Sequence, residues 1–278
     1  MVMILGSGCQ IKEKTYGNYI EMMENNKGYE ILRERTRTSN CMYAVCEKDN
    51  SNYSNDQLIV YDFKLGKCRK YDVGCVVNGL CADKNNVYYI DTSHNGENMS
   101  YITRINNPYL NGKKKKIYVD NIVLCNIDVH KDRLYVFGFD YNEDGVFSKM
   151  YIYDKNSLEL IKEMNFSEYI IDVTDSLVKE NALYVSGRSC RQIENGEFIE
   201  TENKYICRVS LDNYAVNKIY IGDISYEIKE NKDKIYVSNY DEVLDQGSII
   251  YEVDEKKGVT RKHHKKEKVK DIFTYKLD

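Results

Sequence analysis

The chain has 278 residues, of which 42% are hydrophobic and 30% charged; that is enough apolar material for a sizeable core and excludes a disordered composition. Its formal net charge is −4, so no global field favours nucleic acid, and it contains no run of about 18 apolar residues of the kind that spans a membrane. Tyrosine is the dominant aromatic at 26 residues, with no tryptophan and one proline, a usage that suits half-buried strands.

Residues 1–14 read as a tail outside the folded unit, which occupies 15–278. The apolar stretch ending in Gly6-Ser7-Gly8-Cys9 resembles the end of a bacterial lipoprotein signal. That resemblance implies acylation of Cys9 and a lipid-anchored place on a bacterial cell surface. The basic n-region is missing and the apolar part is shorter than a usual signal; a cytoplasmic location is the alternative. Residues 18–32 then read as two strands around the turn Glu24-Asn-Asn-Lys-Gly28, whose Asn and Gly tolerate positive φ.

From residue 38 onward one phrase recurs: a polar turn followed by an apolar strand with tyrosine near its start. Its copies contain Tyr43, Tyr88, Tyr135, Tyr184 and Tyr236, with spacings of 45, 47, 49 and 52. A second strand follows each copy, at Leu58–Asp62, Tyr101–Ile105, Tyr151–Asp154, Tyr205–Val209 and Ile249–Val253. Next come a polar turn and a more basic strand, as at Lys67–Val73, Lys114–Val119 and Val259–Lys265. A further apolar strand leads back to the next tyrosine, at Gly79–Ala82, Cys125–Val129, Tyr169–Val173 and Ser225–Ile228. Arg33–Thr38 holds the same place in the first repeat but is polar.

Four strands in a period of about 40–50 residues specify an all-β fold, a β-propeller of four-stranded antiparallel blades. The first strand of each blade lines the axis. The fourth lies at the rim, where lysines blunt the pairing hazard of an edge. Five full repeats, with a composite blade made from 18–32 and Val269–Tyr275, predict about six blades.

The phrase Ile235-Tyr-Val-Ser-Asn-Tyr240, followed by Gly247-Ser-Ile-Ile-Tyr-Glu-Val-Asp254, resembles the repeat of YVTN and lactonase-like β-propellers. The likeness extends over residues 29–278 at repeat level. Lys, Asn and Asp turns replace that family's usual Ser-Pro-Asp-Gly turn, which makes this chain a divergent relative.

Asp140-Tyr-Asn142-Glu-Asp144-Gly145-Val146-Phe-Ser148 matches the opening of a calcium loop, with oxygen ligands at alternate positions and a glycine for the sharp turn. Asp140, Asn142 and Asp144 would ligate through side chains, Val146 through its carbonyl, and Ser148 directly or through water. A polar hairpin turn is the competing reading. Asp128, Asp172, Glu227 and Asp271 fall on the expected axial strands, where clustered carboxylates suit a cation or basic ligand and raise one another's pKa.

The nine cysteines lack zinc-site spacing and read as free core thiols. His94 and His130 fall in turns, and His263 and His264 in a basic rim strand; no catalytic set can be assembled from them. The basic runs Lys113–Lys116 and Arg261–Lys266 read as a solvated rim, with anionic polymers or membrane headgroups as conceivable partners. The expected function is that of a non-enzymatic binding or scaffold propeller, holding a protein, peptide or glycan on the face that carries the second-to-third-strand loops. A metal-dependent lactonase or hydrolase with its ion in the central channel is the alternative.

Overall fold

The computed structural model describes residues 32–47, 56–92, 100–106, 113–119, 122–142, 145–192, 198–201, 204–231, 233–239 and 247–265. They form five antiparallel sheets of the β-propeller kind. The first blade is β1 (Leu32–Arg37), β2 (Cys41–Glu47), β3 (Asp56–Asp62) and β4 (Lys67–Asp72). The second is β5 (Val76–Ala82), β6 (Asn86–Thr92), β7 (Ser100–Asn106) and β8 (Lys114–Val119). The third is β9 (Val123–His130), β10 (Arg133–Asn142), β11 (Gly145–Asp154) and β12 (Leu160–Asn165). The fourth is β13 (Asp172–Lys179), β14 (Ala182–Gln192), β16 (Tyr205–Ser210) and β17 (Val216–Tyr220), with β15 (Phe198–Thr201) pairing on the far end of β14. The fifth is β18 (Glu227–Asn231), β19 (Lys234–Ser238), β20 (Ile249–Asp254) and β21 (Gly258–His264).

The described residues therefore make five blades rather than about six. Both segments assigned to a composite blade, 18–32 and 269–275, lie almost wholly outside the described residues; only Leu32 is included, and it begins β1. Two axial strands also start later than the sequence suggests. Ile170 and Ile171 are buried just ahead of β13, in a turn where the Tyr169 and Ile170 amides donate to the Phe166 carbonyl. Ser225 likewise precedes β18. The polar first strand of the first blade does form, with an irregularity in register between Leu32 and Arg35.

Each recurrent tyrosine lies on the second strand of its blade and is almost wholly buried. Side chains alternate across a strand, so each sheet offers apolar residues to both neighbouring blades. Tyr43, Val45, Leu58 and Val60 of the first blade pack with Val77, Val87, Tyr89 and Ile105 of the second. Tyr184 and Ile206 of the fourth pack with Ile228, Val237 and Tyr251 of the fifth. Tyrosine serves better than phenylalanine here because the ring is buried while the hydroxyl reaches a polar edge. The Tyr88 hydroxyl donates to Asp83 Oδ2 at 3.3 Å, and that of Tyr184 donates to Glu255.

A polar joint recurs near the start of the third strand in four of the blades. Asp56 Oδ2 accepts the Val77 amide at 2.7 Å, and Ser100 Oγ accepts the Leu124 amide at 3.0 Å. The Ser148 hydroxyl donates to the Ile170 carbonyl, and the Ser225 hydroxyl donates to the Tyr205 carbonyl at 3.1 Å. All four side chains are buried, so each joint satisfies groups that would be costly if left unpaired.

Two ladders continue past their blades on the side of the second-to-third-strand connections. In the third blade β10 and β11 stay in register up to Asn142 opposite Gly145, beyond the last β12 pair at Lys149. In the fourth, β14 leaves β16 after Val185 and pairs with β15 from Ser189 to Gln192. Neighbouring blades thus each carry a β-ribbon on one face of the ring.

Candidate functional site

The axial strands β9, β13 and β18 bring charged and polar groups of three blades together. Asp128 stands opposite Tyr135, and Lys229 opposite Tyr236. Leu177, Cys81 and Thr36 hold the corresponding places opposite Tyr184, Tyr88 and Tyr43. In all five blades this residue precedes the tyrosine by seven positions, the consequence of a tight two-stranded turn of constant length.

Lys229 Nζ lies 2.5 Å from Asp175 Oδ2 and 3.7 Å from Glu227 Oε1. The same Asp175 oxygen accepts the Ile228 amide at 2.9 Å. Ser176 donates its hydroxyl to Asn126 Oδ1 at 2.6 Å and lies 3.4 Å from Asp128 Oδ2. Thr174 and Ser186 both donate to the Tyr226 carbonyl, at 2.6 and 2.7 Å. These contacts join the third blade to the fourth and the fourth to the fifth.

Burial pushes the Asp128 carboxyl up to about 7, and the nearby Asp175 charge adds to the rise. The Val129 amide, the Ser176 hydroxyl and Lys229 act in the opposite direction without cancelling it. Chemically the cluster combines a carboxyl that changes charge near neutrality with a carboxylate locked by a lysine and a backbone amide.

Of the predicted axial acids, Asp128 and Glu227 belong to this cluster. Asp172 instead pairs with Arg188 of its own blade at 2.8 Å. Asp271 lies outside the described residues, as does Cys9. Asn126, Asp175, Ser176 and Lys229 were not singled out from sequence, although the seven-residue offset from the tyrosine would have found Lys229.

On the expected calcium loop, Asp140 is a strand residue opposite Phe147, and Asn142 ends the ladder opposite Gly145. Asp144 and the side chains of Asn142 and Val146 lie outside the described residues. The Ser148 hydroxyl is directed to Ile170 and its amide donates to Ser167 Oγ at 2.9 Å. Among the described residues no three His, Cys, Asp or Glu side chains converge as a metal-ligating group.

His130 ends β9 rather than lying in a turn, and burial depresses its pKa. His263 lies on β21, 3.9 Å from Glu252 Oε2. Cys68, Cys75, Cys81, Cys125 and Cys207 are free thiols. Burial raises those of Cys75 and Cys207 to about 12, which leaves them protonated and poorly nucleophilic.

No protein-family model matches the chain, and no match is found among curated proteins. Among solved structures it is similar to an acylaminoacyl peptidase of Pyrococcus horikoshii, with a TM-score of 0.55 and 17% identity over 87% of this chain and 39% of that one. It is similar to the β-propeller domain of the Trilobed protease of Pyrococcus furiosus, with a TM-score of 0.53 and 14% identity over 84% of this chain and 72% of that one. A Synechocystis apocarotenoid oxygenase matches at 0.51 and 10% identity over 82% of this chain and 58% of that one. The chain thus spans well under half of the peptidase and little more than half of the oxygenase. At these identities the likeness is one of fold, a β-propeller, and fold alone carries no activity.

Proposed function

We propose that this chain is a non-enzymatic binding or scaffold propeller that holds a protein, peptide or glycan on the face bearing the second-to-third-strand connections. The observation that carries this reading is the pair of ladders in the third and fourth blades that run on past their sheets on that face. The axial charges support it from the other side, since Asp175, Lys229 and Ser176 are engaged in joining blades. Binding residues are commonly carried on connections held by a rigid scaffold. The test replaces residues 140–147 by a two-residue Asn-Gly turn and compares both proteins on glycan arrays and displayed peptide libraries. Ligands bound by the parent and lost by the shortened form, at unchanged melting temperature, support the reading; identical profiles overturn it.

The recurrent Tyr-Val strand supports a place among divergent YVTN and lactonase-like propellers. One observation favours the metal-dependent lactonase or hydrolase alternative, namely the Asp128 carboxyl titrating near neutrality beside Asp175. A panel of lactones assayed with added Ca²⁺, Zn²⁺ or Mn²⁺ tests it, and turnover abolished by Asp128→Asn would favour it over a scaffold. Lipid anchoring through Cys9 at a bacterial surface belongs to the same proposal. Incorporation of a labelled fatty acid that Cys9→Ser abolishes would support it.

A further inference from the structure

The rim between the first and second blades has a composition that edge protection does not require. In β4, Tyr71 packs against the core shared with the second blade. Alternation therefore sets Lys67 and Arg69 on that same face. In β8, Ile117 packs toward the third blade, so Lys114, Lys116 and Tyr118 face the first. The two walls look at each other across a wedge that widens outward, as the radial array of blades demands.

The wedge carries Lys67, Arg69, Lys114 and Lys116, all exposed. Lys116 Nζ stands 3.7 Å over the Tyr101 ring and 2.5 Å from Asp91 Oδ2. Asp91 is buried at the base of the wedge and Lys116 stays 45% exposed above it. Tyr101 and Tyr118 form a tilted ring pair at 5.3 Å, and Tyr118 is 47% exposed. Alternate residues on one strand face are about 6.6 Å apart, so each wall repeats its positive charge at that interval.

The next wedge differs. There Lys115 donates to the Ser157 carbonyl, and Glu163 pairs with Lys149 at 2.6 Å. Lysines blunt an edge strand, but Lys67 and Lys114 add positive charge to both facing walls beside the Lys116–Asp91 pair. Such an array in a chain of net charge −4 fits an anionic partner. The exposed Tyr118 ring, backed by the half-buried Tyr101, adds a flat apolar face among the cations, a combination suited to the rings of a sugar chain.

We infer that the wedge between β4 and β8 binds an acidic polysaccharide, one bearing carboxylate or sulfate groups along its length. This surface is separate from the ribbon-bearing face and stands or falls independently of it.

The test measures binding of purified full-length protein to heparin and to polygalacturonate. Poly-glutamate, a single-stranded oligonucleotide and phosphatidylglycerol vesicles serve as other anions. The parent is expected to bind at least one polysaccharide, more weakly as salt rises. Lys67→Glu with Lys114→Glu should weaken that binding by about tenfold or more. Lys256→Glu with Lys257→Glu makes the same charge change on an exposed turn of the fifth blade and should leave it within about twofold. Tyr118→Ala, which changes no charge, should weaken polysaccharide binding but not poly-glutamate binding. Equal losses in the two double variants would reduce the effect to net charge and overturn the inference. So would no binding to either polysaccharide, or equal binding to all five anions. Should the Lys67/Lys114 glutamate variant fail to fold by circular dichroism, the glutamine pair at the same positions takes its place.

Discussion

Lys229 Nζ and Asp175 Oδ2 lie 2.5 Å apart across the junction of the fourth and fifth blades, 54 residues apart in the chain. Both side chains are about one-fifth exposed, at 21% and 18%, so the pair is neither a fully screened surface bridge nor a fully desolvated one. Lys229→Met leaves Asp175 with the Ile228 amide across that junction. The variant should lose about 2 kcal/mol of stability in urea unfolding. The double variant with Asp175→Asn should lose less than the sum of the single losses, because neither charge is then left unpaired.

The Asp128 carboxyl predicts a pH dependence. Its folded value, about 7, lies above the ordinary 3.8, so between those values the folded state holds a proton that the unfolded chain has released. Stability therefore falls as pH rises from about 4 to about 7. The full shift is worth up to about 4 kcal/mol before solvent screening reduces it. Asp128→Asn should flatten this slope and be more stable than the parent at pH 8 than at pH 4, relative to each parent value. Parallel stability curves for the two proteins would show that Asp128 titrates normally.

Gly187 should tolerate no side chain. A Cβ there would lie 2.1 Å from the Asp172 carbonyl oxygen and 2.6 Å from Ile170 Cγ2. The closest of these is backbone in the adjoining strand, so relief needs the strand itself to move. Gly187→Ala should cost about 3 kcal/mol, read as a lower midpoint in chemical denaturation. The matching Gly138 meets the Leu124 side chain and the Val123 carbonyl at 2.9 Å. Its alanine variant should lose less, because one of those neighbours is a side chain that can turn away.

Asp140 and Ser148 separate the calcium reading from the structural one. Ser148→Ala removes a buried hydroxyl that donates to Ile170, and should cost about 1–2 kcal/mol whether calcium or a chelator is present. Asp140→Ala should lower the melting temperature in calcium and leave it unchanged in chelator if the hairpin binds the ion. An equal effect of Asp140→Ala in both conditions would assign that residue to the ladder alone.

The order of strands, the tyrosine on every second strand and the basic outer edges were legible from spacing and alternation, because both are local consequences of chain geometry. Asp128 falls on an axial strand by the same reasoning, whereas Lys229 holds the same seven-residue offset from its tyrosine but lies one residue beyond the strand that the sequence suggests. Alternation gives only the face on which a side chain lies. It does not say which neighbour on the next sheet stands opposite. That depends on how successive twisted sheets are staggered, a tertiary property. Hence Asp172, equally axial by pattern, turned to Arg188, while Asp175 met Lys229 and Ser148 met Ile170. The raised pKa of Asp128 has the same origin, since desolvation comes from the blades packed around it. The tertiary structure alone also placed the lysines of β4 and β8 on opposing walls, because two local patterns become one surface only when two sheets are set side by side.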